Sequence, residues 1–185
     1  MLVLASSSPR RQELLRNAGI TFEAQPAHIP EDPLPGEAAQ ACAERLAREK
    51  ALAVARQRPH DLVLGADTVV VVDGHLLGKP SDAADAAHML RMLSGREHRV
   101  ITGVCLVVSG KPSVASETTL VTMSEITDND IADYVASGEP MDKAGAYAIQ
   151  GIASRWIPRI EGDYSNVVGL PVALLWRMLR QAAVM

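Results

Sequence analysis

The run from Val63 to Val72 constrains the fold more than any other stretch of the chain. Its valines and leucines read as a buried strand, yet Gly65-Ala66-Asp67-Thr68 interrupts it. A carboxylate among valines is costly to bury unless it is paired or binds a metal. Glycine beside it lets the backbone bend or a ligand approach closely. Asp67 is therefore a candidate general base or Mg²⁺ ligand; the ordinary alternative is an Asp that caps a turn. Asp73-Gly74, directly after the run, is a hairpin turn signal, and Leu76-Leu77-Gly78-Lys79-Pro80 returns the chain.

Helices and strands alternate around this run. Leu2 to Ala5 is a short apolar strand, followed by a helix that begins at Pro9 and closes at Gly19. Thr21 to Ala24 reads as a second strand, and the prolines from Pro26 to Pro35 form a loop. A long helix covers Glu37 to about Arg56. Ser81 or Asp82 caps the next helix. Val100 to Val108 and Ser113 to Met123 are β-rich, with Ser109-Gly110-Lys111-Pro112 as the loop between them. Thr127 or Asp128 caps a helix that turns Ile131, Tyr134 and Val135 inward. Trp156 to Ile160 reads as a strand. From about Pro171 a terminal helix carries Val172, Leu175, Trp176 and Leu179 on one face. Alternation with two hairpins inserted implies an α/β fold with a mixed sheet.

The 185 residues allow one domain, or one domain with two lobes. Aromatic residues make up only 3%, so the core is aliphatic and few rings are left to stack a nucleic-acid strand. A net charge of −4 also argues against a nucleic-acid polymer as partner, though not against a local pocket for a small anion. The two cysteines, Cys42 and Cys105, sit in apolar patterns and read as buried free thiols. No basic leader precedes the first strand, and no apolar stretch reaches the ~20 residues of a membrane span. A cytoplasmic protein with no membrane partner is expected.

Several residues have the chemistry to meet an anion. Ser6-Ser7-Ser8-Pro9-Arg10-Arg11 lies where a strand meets a helix N-terminus, which favours negative charge. Its hydroxyls can donate to phosphate oxygens and its arginines can clamp them; equally, it can be a capped helix with solvated arginines. Cys42, Leu46, Lys50 and Val54 recur at four-residue spacing, so Lys50 falls on the apolar row. It either snorkels past the core edge or points into a cleft. Lys79 and Lys143 sit in turns and Glu31 in the proline-rich loop; singly, each is an ordinary surface charge. His98 reads as structural. Glu31 and Asp67 together are carboxylates of the kind that hold Mg²⁺. With Arg10, Arg11, Lys50, Lys79 and Lys143 they form the set that phosphoryl or nucleotidyl chemistry requires. No Gly-x-x-x-x-Gly-Lys-Ser/Thr is present, so a P-loop is excluded.

Five separated motifs, in order along essentially the whole chain, resemble the Maf family of septum-formation-inhibitor-like nucleoside triphosphate pyrophosphatases. They are Ser6 to Arg11, Gly65-Ala66-Asp67-Thr68, Gly78-Lys79-Pro80, Asp142-Lys143-Ala144-Gly145-Ala146-Tyr147 with Gln150-Gly151, and Gly162 to Pro171. The resemblance implies a two-lobed Maf/ITPase-like α/β fold with a bent mixed sheet flanked by helices and a deep active-site cleft. It implies hydrolysis of a nucleoside triphosphate to the monophosphate and pyrophosphate, a divalent cation (Mg²⁺, Mn²⁺ or Co²⁺), and a homodimer.

Carried residue by residue, Asp67 matches the family's proton acceptor, and Ser8, Arg10, Arg11, Glu31, Lys50, Lys79 and Asp142-Lys143 match cleft positions. Within that cleft Ser8, Arg10, Arg11, Lys50, Lys79 and Lys143 are expected on the phosphates, and Glu31 and Asp67 on the metal. Arg10, Thr68 and Gln150 match positions tied to base choice. Thr68 and Gln150 are similar to the dTTP/UTP branch; the 7-methyl-GTP branch typically differs after the Asp and has Glu in place of Gln150. Two departures stand out: Ser7 replaces a common glycine or alanine, and Ile29-Pro30-Glu31 replaces a more acidic stretch. A nucleotide-binding regulator of septum formation with little turnover is the alternative from a different class.

Overall fold

A computed structural model of the chain describes residues 1–182. The strands are β1 (Leu2–Leu4), β2 (Glu23–Ala24), β3 (Leu62–Val72), β4 (His75–Leu77), β5 (Glu97–Val108), β6 (Lys111–Thr122) and β7 (Arg159–Glu161). The helices are α1 (Pro9–Asn17), α2 (Ala39–Ala55), α3 (Ala83–Leu93), α4 (Asp128–Ala136), α5 (Tyr164–Val168) and α6 (Val172–Gln181). The strands form one open seven-stranded sheet in the order β2-β1-β3-β5-β6-β7, with β4 paired to β3. The sheet is mixed: β1 runs parallel to β2 and β3, whereas β4 and β7 pair antiparallel with their neighbours. The chain divides into two compact units. One holds Met1–Thr68, Thr102–Glu117 and the chain from Gly169 on; the other holds Val69–Ile101 and Thr118–Val168.

In the first unit, alternate side chains of the strands serve two apolar layers, as the two-residue period of a strand requires. Leu2, Leu4, Leu62, Leu64, Val104 and Leu106 pack with Leu15 of α1 and Leu175 and Leu179 of α6. Val3, Ala5, Val63, Cys105 and Val107 pack with Ala47, Ala51 and Val54 of α2. The second layer is thin because α2 presents alanines. A Cβ on Gly65 would lie 2.1 Å from the Ala47 carbonyl oxygen, and one on Gly103 would lie 2.3 Å from that of Ala43. Gly65 thus neither bends β3 nor admits a ligand; it admits the α2 backbone, and β3 continues unbroken through Asp67. Burial raises both cysteine thiols to about 11, so they stay protonated and unreactive.

In the second unit, Asp73 and Gly74 both take positive φ in the two-residue turn joining β3 to β4, as a primed hairpin turn needs. Asp82 caps α3 by accepting from the Asp85 N–H at 2.8 Å, and Asp85 accepts in return from the Ser81 N–H. Thr127 caps α4, whose buried residues are Ile131 and Tyr134.

Four expectations need correction. Lys111 and Pro112 belong to β6, because the turn is only Ser109-Gly110. Trp156 ends a 3-10 turn over Ile152–Trp156, and the strand β7 begins at Arg159. The second strand is confined to Glu23–Ala24. On α6 the buried residues are Leu174, Leu175, Met178 and Leu179; Trp176 stands 41% exposed.

Candidate active site

In the first unit, the i+4 row on α2 delivers Lys50 to the β3 face below it. Its Nζ lies 2.6 Å from Asp67 Oδ1 and 3.1 Å from Glu31 Oε2. Lys50 and Asp67 are both buried, each 6% exposed, while the Glu31 side chain is 45% exposed. Lys50 therefore does not snorkel into water; it ends on two carboxylates. Among the described residues Lys50 is the hydrogen-bond partner of Asp67, and it occupies Oδ1 only.

A second cluster in the same unit is built on Arg11. Ser8 caps α1 by accepting from the Arg11 N–H at 3.4 Å. The Arg11 side chain turns back along the strand ends. Its Nε donates to the Gly169 carbonyl at 2.7 Å, Nη2 to Thr68 Oγ1 at 3.1 Å, and Nη1 to Ser6 Oγ at 3.3 Å. Thr68 Oγ1 also lies 2.9 Å from Thr102 Oγ1. Desolvation pulls the Arg11 pKa below its ordinary value; Asp67 and Glu31 raise it and Arg10 lowers it, so these four charges share one electrostatic neighbourhood. The arginine bonded to Thr68 is thus Arg11, whereas the resemblance carries Arg10 to base choice beside Thr68. Ser6 serves as an acceptor for the Ser8 N–H and for Arg11, and Ser7 is exposed. The Gly169 carbonyl and Thr102 were not foreseen. Gly169 lies inside the last of the five motifs, but a backbone acceptor and a lone threonine carry no signal in the residue pattern.

Lys79, Asp142, Lys143 and Gln150 belong to the second unit. Gly145 N–H donates to the Gly78 carbonyl at 3.0 Å, joining the Gly78-Lys79-Pro80 turn to the Lys143–Ala146 segment. Gly145 takes φ 70° and its Cα faces Val70, where a Cβ would come within 2.9 Å. Lys143 Nζ donates at 2.6 Å both to the Glu139 carbonyl and to Asp142 Oδ1. Lys79 and Gln150 are exposed. His98 is buried, with Nε2 2.6 Å from the Tyr147 hydroxyl and the rings in edge contact. That contact makes it structural, as expected.

The donor chemistry suits a hard divalent cation. Glu31 and Asp67 each bring a carboxylate oxygen to the Lys50 ammonium, and Mg²⁺ is commonly held by one or two carboxylates plus substrate phosphates. A complete protein cage is lacking: among the described residues no group of three or more His, Cys, Asp or Glu side chains is placed to hold a metal ion.

The same five motifs and this α/β sheet coincide with a match to the family described as Maf-like protein over residues 1–182. A dTTP/UTP pyrophosphatase of Koribacter versatilis (strain Ellin345) is 59% identical over 184 residues, covering 100% of this chain and 95% of that protein. Those of Symbiobacterium thermophilum and Syntrophomonas wolfei subsp. wolfei are 52% and 51% identical, covering 97% and 95% of this chain and 93% and 94% of theirs. The chain belongs to the Maf family. Among the described residues no helix is long and apolar enough to cross a membrane.

Proposed function

We propose that this chain is a nucleoside triphosphate pyrophosphatase that hydrolyses dTTP and UTP to the monophosphate and pyrophosphate. The observation that carries the proposal is the buried Lys50–Asp67 pair with Glu31 on the same ammonium. A buried ion pair is a weak way to stabilise a fold, since apolar residues of equal volume often do as well. Its chemistry is the better reason for its presence. The full-length relatives named dTTP/UTP pyrophosphatase support the substrate class.

Water attacks the α-phosphorus, the bond to the bridging oxygen breaks, and pyrophosphate leaves with the electron pair. Lys50 occupies Asp67 Oδ1, which leaves Oδ2 to accept the proton of the attacking water. Arg10, Arg11, Lys50, Lys79 and Lys143 neutralise the triphosphate, where the transition-state charge develops. Ser8 keeps its hydroxyl proton for a phosphate oxygen while its oxygen caps α1. Glu31 and Asp67 would hold the divalent cation (Mg²⁺, Mn²⁺ or Co²⁺), which when bound neutralises phosphate charge.

Gln150 reads the base, with Thr68 and its arginine neighbourhood contributing to the choice. Uracil and thymine present a carbonyl acceptor beside an N–H donor, and a carboxamide offers the complementary pair. Cytosine inverts that pattern and leaves the carboxamide's donor and acceptor unpaired. Removal of surplus or modified nucleotides, a cytoplasmic site of action and a homodimer belong to the same proposal; light scattering reads the last.

The test is pyrophosphate release from dTTP, UTP, CTP and 7-methyl-GTP with each of Mg²⁺, Mn²⁺ and Co²⁺. Higher kcat/KM for dTTP and UTP supports the proposal. Preference for 7-methyl-GTP, or tight nucleotide binding with no turnover, overturns it.

A further inference from the structure

Gln150 stands at the third position of a hydrogen-bonded turn, Ala148 to Gly151, closed by the Gly151 N–H on the Ala148 carbonyl at 3.1 Å. The turn is held at both ends by side chains from α4 and the segment after it. At its entry the Ala148 N–H donates to the buried Tyr134 hydroxyl at 3.3 Å. At its exit the Ile152 N–H donates to both carboxylate oxygens of Glu139, at 3.1 and 3.2 Å. Gly151 closes on the same carboxylate: a Cβ there would lie 2.0 Å from Glu139 Oε1. Glu139 is itself held. Its N–H donates to Ser137 Oγ at 3.3 Å, and its carbonyl accepts from Lys143 Nζ at 2.6 Å.

We infer that Glu139 is a positioning residue for base selection, its carboxylate fixing the turn that carries Gln150 while its carbonyl seats Lys143. The inference rests on Gln150 reading the base, as proposed above. A recognition side chain discriminates only when its backbone is held to about half an ångström. Gln150 is exposed, so its aim comes from the turn. A carboxylate accepting a backbone N–H is a charge-assisted bond, the strong kind. The glycine at 151 is explained by the same contact.

The two tasks of Glu139 separate by substitution. Glu139→Ala removes the carboxylate but keeps the carbonyl that seats Lys143. Base selection then loosens while phosphate contact persists: the dTTP-to-CTP ratio of kcat/KM falls about tenfold, roughly the worth of one charged hydrogen bond. The fall comes mainly through KM for dTTP, with CTP hydrolysis little changed. Glu139→Gln keeps one acceptor oxygen and restores most of the ratio. Gly151→Ala expels the carboxylate with Glu139 intact and lowers the ratio likewise. The double variant Glu139→Ala/Gly151→Ala is no worse than either alone, because both break one contact.

The experiment measures kcat/KM for dTTP and CTP, with Tm, on these variants and on Gln150→Ala. An unchanged ratio in Glu139→Ala and Gly151→Ala, with or without a lower Tm, overturns the inference. If Gln150→Ala alone lowers the ratio, base reading by Gln150 stands and the role of Glu139 falls. If the Glu139 and Gly151 variants lower it and Gln150→Ala does not, Glu139 stands and Gln150 falls as reader.

Discussion

Lys50 and Asp67 form an unequal partnership. Lys50 Nζ has two carboxylates, Asp67 at 2.6 Å and the half-exposed Glu31 at 3.1 Å, whereas Asp67 has Lys50 alone among the described residues. Removing either side of a buried pair strands the other charge, but the two removals leave different remnants. Lys50 retains Glu31, whereas Asp67 retains no hydrogen-bonded cation, only the field of nearby Arg11.

Lys50→Met keeps the volume of the stem and leaves Asp67 buried with no cation bonded to it, only the field of Arg11. It costs up to about 3–5 kcal/mol at neutral pH, the penalty for a buried charge stripped of its bonded partner. Asp67→Asn costs less, because Glu31 still meets the ammonium. Urea denaturation of the two variants and of the double variant measures the difference. The double variant recovers stability relative to Lys50→Met, since it removes both charges. Equal losses for the two single variants would show that Glu31 does not support Lys50.

Lys79 tests the anion-binding half of the account. It is exposed, so its removal leaves the fold intact. On the proposed contact with the triphosphate, one lost cation costs about 2–4 kcal/mol of transition-state stabilisation. Lys79→Ala therefore lowers kcat/KM for dTTP by about 30- to 1000-fold, and weakens inhibition by the monophosphate less, because that product carries fewer charges. Unchanged kcat/KM would make Lys79 an ordinary surface lysine.

His98 supplies a pH dependence. Burial lowers its pKa from 6.5 to about 4. Between those values the unfolded chain binds a proton at this ring and the folded chain does not, so stability rises with pH through the window and falls as the solution is acidified. From pH 7 to pH 5 the loss from this group is about 2 kcal/mol. His98→Gln still offers the Tyr147 hydroxyl a partner and has no such titration. Its Tm falls less than that of the wild type between those two pH values. Parallel Tm curves would mean that His98 does not titrate in this window.

Much of this was legible because the residues concerned break a pattern. Asp67 stands out among valines, and Lys50 on an apolar helical row; the fold resolves both anomalies by pairing them. Asp73-Gly74 and Asp82 follow from turn and cap chemistry that is local in sequence. What stayed hidden depends on contacts between distant segments. Gly65 looks like room for a ligand until α2 is seen to lie against it. Arg10 and Arg11 are equivalent as text; the helix turn from Ser8 decides which one reaches Thr68 and the Gly169 carbonyl. Glu139 resembles any exposed glutamate, because its partner is a backbone N–H on the far side of several tight turns. Trp176 fits the helical face by spacing, yet the sheet takes Leu174 and Met178 instead.

The central claim is that Asp67 accepts the proton of the attacking water. The direct measurement is the turnover of dTTP, read as pyrophosphate release with saturating divalent cation, for the wild type and Asp67→Asn. Asparagine keeps the shape and the bond to Lys50 but cannot take the proton. The account predicts a loss of about 100-fold or more in kcat, with a folded protein that still binds nucleotide. Turnover close to that of the wild type would contradict it and remove Asp67 from the chemical step.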